Sequence, residues 1–181
     1  NHIAIVHIDG NKIGKKIENC ETIEELKELS ETLKKSVKDS FLKIMKCIDK
    51  NKSDIFNDNN KQKTLPIIPI VLGGDDITFV CNSIYGIKFS EIFIKNFEKT
   101  KFKDEKFTAC AGISITKTTY PFYQSYKIAE ELCKNAKHQR ETDNEETSYF
   151  DFHIFYSGIV GSLSYIRNNF YTSNLGEMYL R

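Results

Sequence analysis

The stretch IIPIVLGGDDITFVC, residues 67–81, decides the fold of this chain. Two apolar runs flank the tetrad Gly73-Gly74-Asp75-Asp76, and this arrangement predicts two β-strands joined by a tight turn. The turn carries two adjacent carboxylates at its tip, and its glycines leave room for a phosphate or a base near the backbone. An ordinary surface hairpin also favours glycine and aspartate, so the tetrad alone leaves both interpretations open.

A third carboxylate, Asp9, ends another apolar run, NHIAIVHID. Hard divalent cations prefer oxygen ligands and accept nucleotide phosphates as further ligands. Asp9, Asp75 and Asp76 are therefore candidate ligands of a Mg²⁺ or Mn²⁺ site with two metal ions. The competing interpretation of Asp9 is a plain strand end followed by a polar turn.

Hydrophobic periodicity predicts an α+β chain. Thr22 and Glu25 have the spacing of a capping box at the start of a long helix, and Pro121 opens another helix. The predicted strands are 1–9, 65–72, 77–81, 107–116 and 149–155, and the predicted helices are 22–49, 84–98 and one that follows Pro121.

The first six elements follow the ferredoxin-like βαββαβ plan, in which the sheet order is 4-1-3-2. The last predicted helix and strand are additions to that plan at its C-terminal side. Pro66 and Pro69 fit strand two as an edge strand, because proline lacks an amide for the ladder. Strand one then lies antiparallel to strand three, and this order predicts that Asp9 lies beside Asp75 and Asp76.

Two further groups are candidate phosphate ligands. Successive amides in a turn can cradle phosphate oxygens, and the turn after Asp9 predicts such a cradle. Lys134 and Lys137 are expected to neutralise a triphosphate, although a solvated helix face would place lysines there as well. The candidate amides are those of Gly10, Asn11, Lys12, Ile13 and Gly14.

Composition excludes several classes of protein. Lys and Arg number 26 against 25 Asp and Glu, so the net charge of +1 gives no global field for nucleic acid. Five cysteines without a CxxC pair indicate free thiols in a reducing cytoplasm. No apolar run is long enough to span a membrane, and there is no Walker-type GxxxxGK[ST] motif. The four histidines do not cluster, and His7 and His153 are expected in the core or at its rim.

Three blocks of sequence resemble the second palm domain of the large, signal-generating subunit of type III CRISPR effector complexes, the Cmr and Csm types. More distant similarity is to GGDEF diguanylate cyclases and to family-B-type palm polymerases. The resemblance covers residues 1–157 as a palm domain, with 158–181 as an extension of unclear structure. The three blocks are HIAIVHIDGNKIG, PIVLGGDDITFVC and ACAGISITKTTYPFYQSYKIAEELCKNAK.

The resemblance implies synthesis of cyclic oligoadenylates from ATP as antiviral second messengers. It implies metal ligation by Asp9 and Asp75, with Asp75 and Asp76 as the catalytic carboxylates. Gly73 and Gly74 match the family's turn, and Lys137 matches its phosphate-contacting lysine. Ile77-Thr78-Phe79 departs from a strict GGDEF match, so adenine is favoured over guanine.

One palm cannot supply two ATP sites. We therefore expect either a homodimer of stand-alone palms, as in minimal CRISPR polymerases, or a piece of a larger chain with a second palm, effector subunits and RNA. Two alternatives stay open: a polymerase-type nucleotidyltransferase, and a catalytically silent palm that binds nucleotide or assembles a complex. The polar segment 51–63 is expected to be a mobile loop.

Overall fold

The structure is a computed structural model, and it describes residues 1–51, 65–143, 145–155, 163–170, 172–173 and 176–177. Segment 51–63, predicted as a mobile loop, lies outside these residues except for residue 51. The predicted boundary between 157 and 158 also lies outside them, so the division of the chain into a palm and an extension stays a prediction.

The described residues form an α+β fold, as the sequence predicts. The strands are β1 His2–Gly10, β2 Ile67–Gly73, β3 Asp76–Asn82, β4 Lys101–Phe102, β5 Glu105–Lys106, β6 Ala109–Lys117, β7 Tyr149–Ile154, β8 Thr172–Ser173 and β9 Gly176–Glu177. The helices are α1 Ile13–Glu18, α2 Ile23–Lys50, α3 Gly86–Phe97, α4 Phe122–Thr142 and α5 Leu163–Phe170, and a 3-10 turn at Ser83–Tyr85 precedes α3.

The main sheet has the order β2-β3-β1-β6-β7. Its first four strands are antiparallel to one another and reproduce the predicted ferredoxin-like order. Strand β7 joins the sheet beside β6 and runs parallel to it, so it is the predicted additional strand. The parallel connection between β6 and β7 contains helix α4, as a crossover between parallel strands requires.

Helices α2 and α3 cover one face of the sheet and enclose the main core, which includes Val6, Ile8, Phe79 and Phe93. The capping box at the start of α2 is confirmed, because the Thr22 hydroxyl accepts from the Glu25 amide at 3.2 Å. Leucines and other apolar residues at helical spacing in α2 face this core. These interactions fix the sheet on the side away from the carboxylates.

Helix α4 covers the opposite face of the sheet, packing on β1, β6 and β7. Gly112 in β6 permits this contact: an added Cβ would overlap the Ala129 carbonyl oxygen and the Cys133 amide nitrogen. The hydroxyls of Ser114 and Ser125 lie 3.0 Å apart across the same contact. The close approach brings the middle of α4 onto the face that carries Asp9.

Two details differ from the sequence expectations. The short hairpin β4–β5 was not predicted, and its turn places Lys103 and Asp104 at positive φ. Pro121 is the N-cap of α4, one residue before its first helical position. Edge strand β2 buries Ile67 and exposes its other six residues. Within the described residues, no helix combines the length and the apolar character that a membrane crossing needs.

Candidate functional site

The three predicted carboxylates lie at one end of the sheet. Asp9 is the direct partner of Asp76 in the ladder between β1 and β3, so their side chains leave the same face. Asp75 precedes Asp76 in the turn, and its carbonyl oxygen accepts from the Gly10 amide at 2.9 Å. All three line one cavity of about 290 Å³. The topology therefore brings together the residues that the sequence pattern singles out.

Glycines make this junction possible. Gly74 has φ of 61°, the left-handed conformation that a two-residue hairpin turn requires and that side chains disfavour. A Cβ on Gly10 would lie 2.9 Å from the Asp75 Cβ and 2.8 Å from the Ile13 Cγ1. By contrast, added Cβ atoms on Gly73 or Gly74 would meet no atom within 4 Å. Gly10 is therefore the glycine that lets the turn close onto β1.

Helix α4 supplies the cations of the cavity. Lys134 and Lys137 both line it, together with Glu130 and Cys133. The Lys137 ammonium donates to the Asp9 carboxylate, and each of these side chains is about one-third exposed. Both lysines lie where the sequence analysis expects them, at the cavity that contains the carboxylates.

Two of the five amides in the predicted phosphate cradle have partners within the chain. The Gly10 amide donates to Asp75, and the Asn11 amide donates to the Thr108 carbonyl at 2.8 Å. Asn11 is buried, and its side chain donates to the Thr108 hydroxyl at 3.1 Å. The Gly10 and Asn11 amides thus hold the loop in the free chain, and their contact with phosphate stays a prediction.

The other three amides of the predicted cradle lie at the start of helix α1, where helix geometry provides no acceptor. Lys12 is the N-cap at φ 57°, and its ammonium pairs with Glu146. The Ile13 side chain is buried in the main core, and Gly14 has open space around it. Lys12, Ile13 and Gly14 therefore remain the candidate phosphate contacts of this turn.

Asp76 lies in a crowded anionic environment. Partial burial raises the pKa of its carboxyl above the ordinary value, and Asp9, Asp75 and Glu130 raise it further. His7 opposes this shift: its Nδ1 lies 3.4 Å from the Asp76 Oδ1. The carboxylates thus repel one another, and a bound cation would relieve that repulsion.

The donor set fits Mg²⁺ or Mn²⁺ by its chemistry, because it consists of carboxylate oxygens on one cavity wall. In the described part of the chain, however, no three His, Cys, Asp or Glu side chains form a group arranged to hold a metal ion. In the free chain the Lys137 ammonium contacts one carboxylate oxygen of Asp9, so a bound metal ion would share or replace that contact.

Two residues of the cavity were missed by the sequence analysis. His7, expected in the core or at its rim, is buried and lines the cavity beside Asp76. Strand periodicity contains the signal, because residues two apart in β1 share a face and His7 precedes Asp9 by two. Glu130 precedes Lys134 by four residues and Lys137 by seven. This spacing places all three on one face of the helix, and it is the signal that could have identified Glu130.

Cys133 also lines the cavity, but it is a poor metal ligand. Burial raises the pKa of its thiol to about 12, so the thiolate form that binds metals is disfavoured. The thiol instead donates to the Cys110 carbonyl at 3.2 Å. The described cysteines are all free thiols, as the sequence predicts.

Solved structures share this fold. A Csm1-Csm4 cassette in complex with cA4 matches with a TM-score of 0.59 and 14% identity, over 76% of this chain and 20% of that chain. The apo Csm1-Csm4 cassette matches with a TM-score of 0.57 and 16% identity, over 76% and 19%. This chain therefore spans about a fifth of the length of those chains.

An active GGEEF domain of a diguanylate cyclase from Vibrio cholerae matches with a TM-score of 0.49 and 14% identity, over 77% of this chain and 78% of that chain. Among curated proteins, none matches the chain. The model of the Cas10/Cmr2 second palm domain matches residues 2–145, which include every candidate site residue named above. The chain therefore belongs to the Cas10/Cmr2 family, as its second palm domain.

Proposed function

We propose that this chain is a metal-dependent nucleotidyltransferase palm that makes cyclic adenylates from ATP in type III CRISPR antiviral signalling. The observation that carries the proposal is the pairing of Asp9 with Asp76 across β1 and β3, with Asp75 and two lysines around the same cavity. Membership of the Cas10/Cmr2 second palm family supports the reaction class.

Lys134 and Lys137 would receive the phosphates of ATP. Both are point charges on one face of α4, and both line the cavity. Lys137 has Asp9 as its partner in the free chain, so binding of a phosphate would exchange one anion for another. The amides of Lys12, Ile13 and Gly14 would contribute hydrogen bonds to the same triphosphate.

Asp9, Asp75 and Asp76 would hold Mg²⁺ or Mn²⁺, which when bound neutralises phosphate charge and lowers the pKa of a coordinated hydroxyl. In the proposed reaction, the 3′ oxygen of one nucleotide forms a bond to the α-phosphorus of another. The bond from that phosphorus to the β-phosphate oxygen breaks, pyrophosphate leaves, and the hydroxyl proton passes to solvent. The Asp75 turn is held against β1 through Gly10, which keeps the carboxylates at this position.

The proposed reaction joins two nucleotides, so we expect a second palm to face this one and to hold the second nucleotide. That palm is either a second copy of this chain or another domain of a larger protein. We infer effector subunits and RNA as further partners, and the relative solved as a Csm1-Csm4 subcomplex supports the effector subunits. The relative solved in complex with cA4 supports adenine nucleotides as the substrate class.

The test is mass spectrometry of products after incubation with each nucleoside triphosphate and Mg²⁺ or Mn²⁺. The double variant Asp75→Ala/Asp76→Ala removes two site carboxylates. Asp39→Ala, an exposed carboxylate on α2, is the matched control. We expect a cyclic adenylate from the wild type and from Asp39→Ala, and none from the double variant.

Other outcomes separate the alternatives. ATP binding without any product would favour a half site that lacks its second palm. Neither binding nor product would favour the silent module, for which the Asp9–Lys137 ion pair is the supporting observation. Extension of an added primer, with no ring formed, would favour a polymerase-type transferase.

A further inference from the structure

His7 is a buried polar residue at the wall of the carboxylate cavity, and the proposed reaction assigns it no role. Its side chain is 11% exposed, whereas that of Asp76 is 54% exposed. The His7 Nδ1 lies 3.4 Å from the Asp76 Oδ1 and 3.3 Å from the Thr78 hydroxyl oxygen. One ring nitrogen therefore faces both a carboxylate and a hydroxyl.

The fold fixes the His7 ring in place. His7 and Thr78 are direct partners across β1 and β3, and His7 is also the partner of Gly112 in β6. Gly112 lets helix α4 approach, and the Tyr126 ring of α4 meets His7 edge-on with centroids 5.8 Å apart. These contacts restrict the rotation of the His7 ring, so its Nδ1 atom keeps a fixed position beside Asp76.

The chemistry of the Asp76 carboxylate indicates which ring nitrogen of His7 carries the hydrogen. An ionised carboxylate only accepts hydrogen bonds, so Nδ1 must carry the hydrogen for its contact with Asp76 to be attractive. A lone pair on Nδ1 would instead face the carboxylate and repel it. The contact with Thr78 has hydrogen-bond geometry, and the Asp76 oxygen lies at ion-pair distance from the same nitrogen.

We propose that His7 is a positioning residue for Asp76, and that its Nδ1–H holds this carboxylate at the cavity. The inference rests on the proposed function in that Asp76 is taken as a site carboxylate. Without His7, the half-exposed Asp76 would face Asp9, Asp75 and Glu130 without the neighbour on its own side of the sheet that opposes their repulsion, and other rotamers would be favoured.

The first test needs neither metal nor activity. Nitrogen NMR of the chain with ¹⁵N-labelled histidine reports which ring nitrogen of His7 carries hydrogen. We expect a protonated Nδ1, and an Nδ1 without hydrogen would overturn the proposal. Side-chain couplings of Asp76 then report its rotamer: we expect one rotamer in the wild type and averaging in His7→Leu. A single Asp76 rotamer in both proteins would also overturn it.

The second test is rescue by isosteric variants. The amide nitrogen of Asn can take the place of Nδ1, whereas that of Gln takes the place of Nε2. We expect His7→Asn to keep most of the product rate and the single Asp76 rotamer. His7→Leu and His7→Gln should each lose about tenfold or more in rate, since a hydrogen bond to a charged group is removed. His153→Leu, at the other buried histidine of the described sheet, is the control for loss of packing.

The outcomes are distinct. Equal losses in all three His7 variants would show a packing role and overturn the proposal, and so would retention of rate in all three. Rescue by Gln alone would assign the role to Nε2 and overturn it as well. If the wild type makes no product, the proposed function fails in the isolated chain, while the ring-nitrogen and rotamer measurements still decide the role of His7.

Discussion

Lys137 of helix α4 forms an ion pair with Asp9 at the end of strand β1, so a cation of the protein itself contacts one of the three site carboxylates. Both side chains are about one-third exposed. A pair in such contact with solvent contributes only about 0–1 kcal/mol to stability. We therefore expect Lys137 to matter more for binding an anionic ligand than for stabilising the fold.

Replacing Lys137 by Met tests this distinction. We expect the free energy of unfolding of the free chain to change by less than about 1 kcal/mol. The affinity for Mg²⁺-ATP should fall by about tenfold, because a charge-assisted contact to phosphate is lost. Thermal unfolding with and without Mg²⁺-ATP measures both effects. Lys127→Met, whose ammonium lies over the Tyr123 ring, is the matched control, and equal losses of affinity in the two variants would contradict the assignment.

Gly10→Ala should damage the site through sterics. The new Cβ would lie within 3 Å of the Asp75 Cβ and the Ile13 Cγ1, so we expect a loss of about 1–3 kcal/mol in urea unfolding. Gly14→Ala in helix α1 is the control, because open space surrounds that position and alanine favours helix. We expect it to be neutral or to stabilise the chain. A Gly10→Ala chain as stable as the wild type would show that the turn is not pressed against β1.

Gly112→Ala should be the most damaging of the glycine substitutions. Its Cβ would overlap backbone atoms of Ala129 and Cys133, and backbone cannot move aside as a side chain can. We expect a loss of about 3 kcal/mol or more, with helix α4 displaced from the sheet. Gly73→Ala, with no atom within 4 Å of the added Cβ, is the control. Hydrogen exchange of the α4 amides distinguishes local displacement from global unfolding.

Asp76 makes the free chain less stable as pH rises. Its pKa is raised in the folded state, so between the ordinary value of 3.8 and the folded value the native chain binds more protons than the unfolded chain. The free energy of unfolding therefore falls with rising pH through that window, and stays lower above it. We expect Asp76→Asn to raise the melting temperature at pH 7 and to flatten this dependence. A lower melting temperature for Asp76→Asn at pH 7 would refute it.

Arg167 joins helix α5 to the sheet. It donates to both carboxylate oxygens of Asp151 in β7, at 2.6 and 2.8 Å. The two side chains are only 21% and 23% exposed, so the paired geometry should matter. We expect Arg167→Met to speed hydrogen exchange of the α5 amides while leaving those of α4 unchanged. The exchanged pair Asp151→Arg/Arg167→Asp should restore part of the protection.

Much of the fold could be predicted, because long periodic segments encode it. The alternation in β1 and β3 and the helical spacing in α2 lead to the sheet order, and the order places Asp9 beside Asp76. Hairpin β4–β5 has two residues in each strand, too few for any period to show. The site residues that can be predicted from the sequence are therefore those at the ends of strands with a clear hydrophobic pattern.

Hydrogen-bond and ion-pair partners that lie far apart in the sequence could not be predicted. Nothing near Gly10 or Asn11 in the sequence shows that backbone oxygens of Asp75 and Thr108 will accept from their amides. The same holds for the Lys137 ammonium on Asp9, which joins residues 128 positions apart. His7 is a different case, because its spacing from Asp9 already places both on one face of β1.

Edge strand β2 has a consequence for the behaviour of the chain at high concentration. It leaves Ile68 and Ile70 61% and 52% exposed, on a rim where unpaired backbone groups could recruit a strand from another molecule. Pro69 offers no amide to such a strand, and the register shifts between Pro69 and Val71. An intruding strand could not form a continuous ladder there. Pro69 thus acts as a gatekeeper that disfavours sheet-to-sheet aggregation at an apolar edge which the described residues leave uncovered.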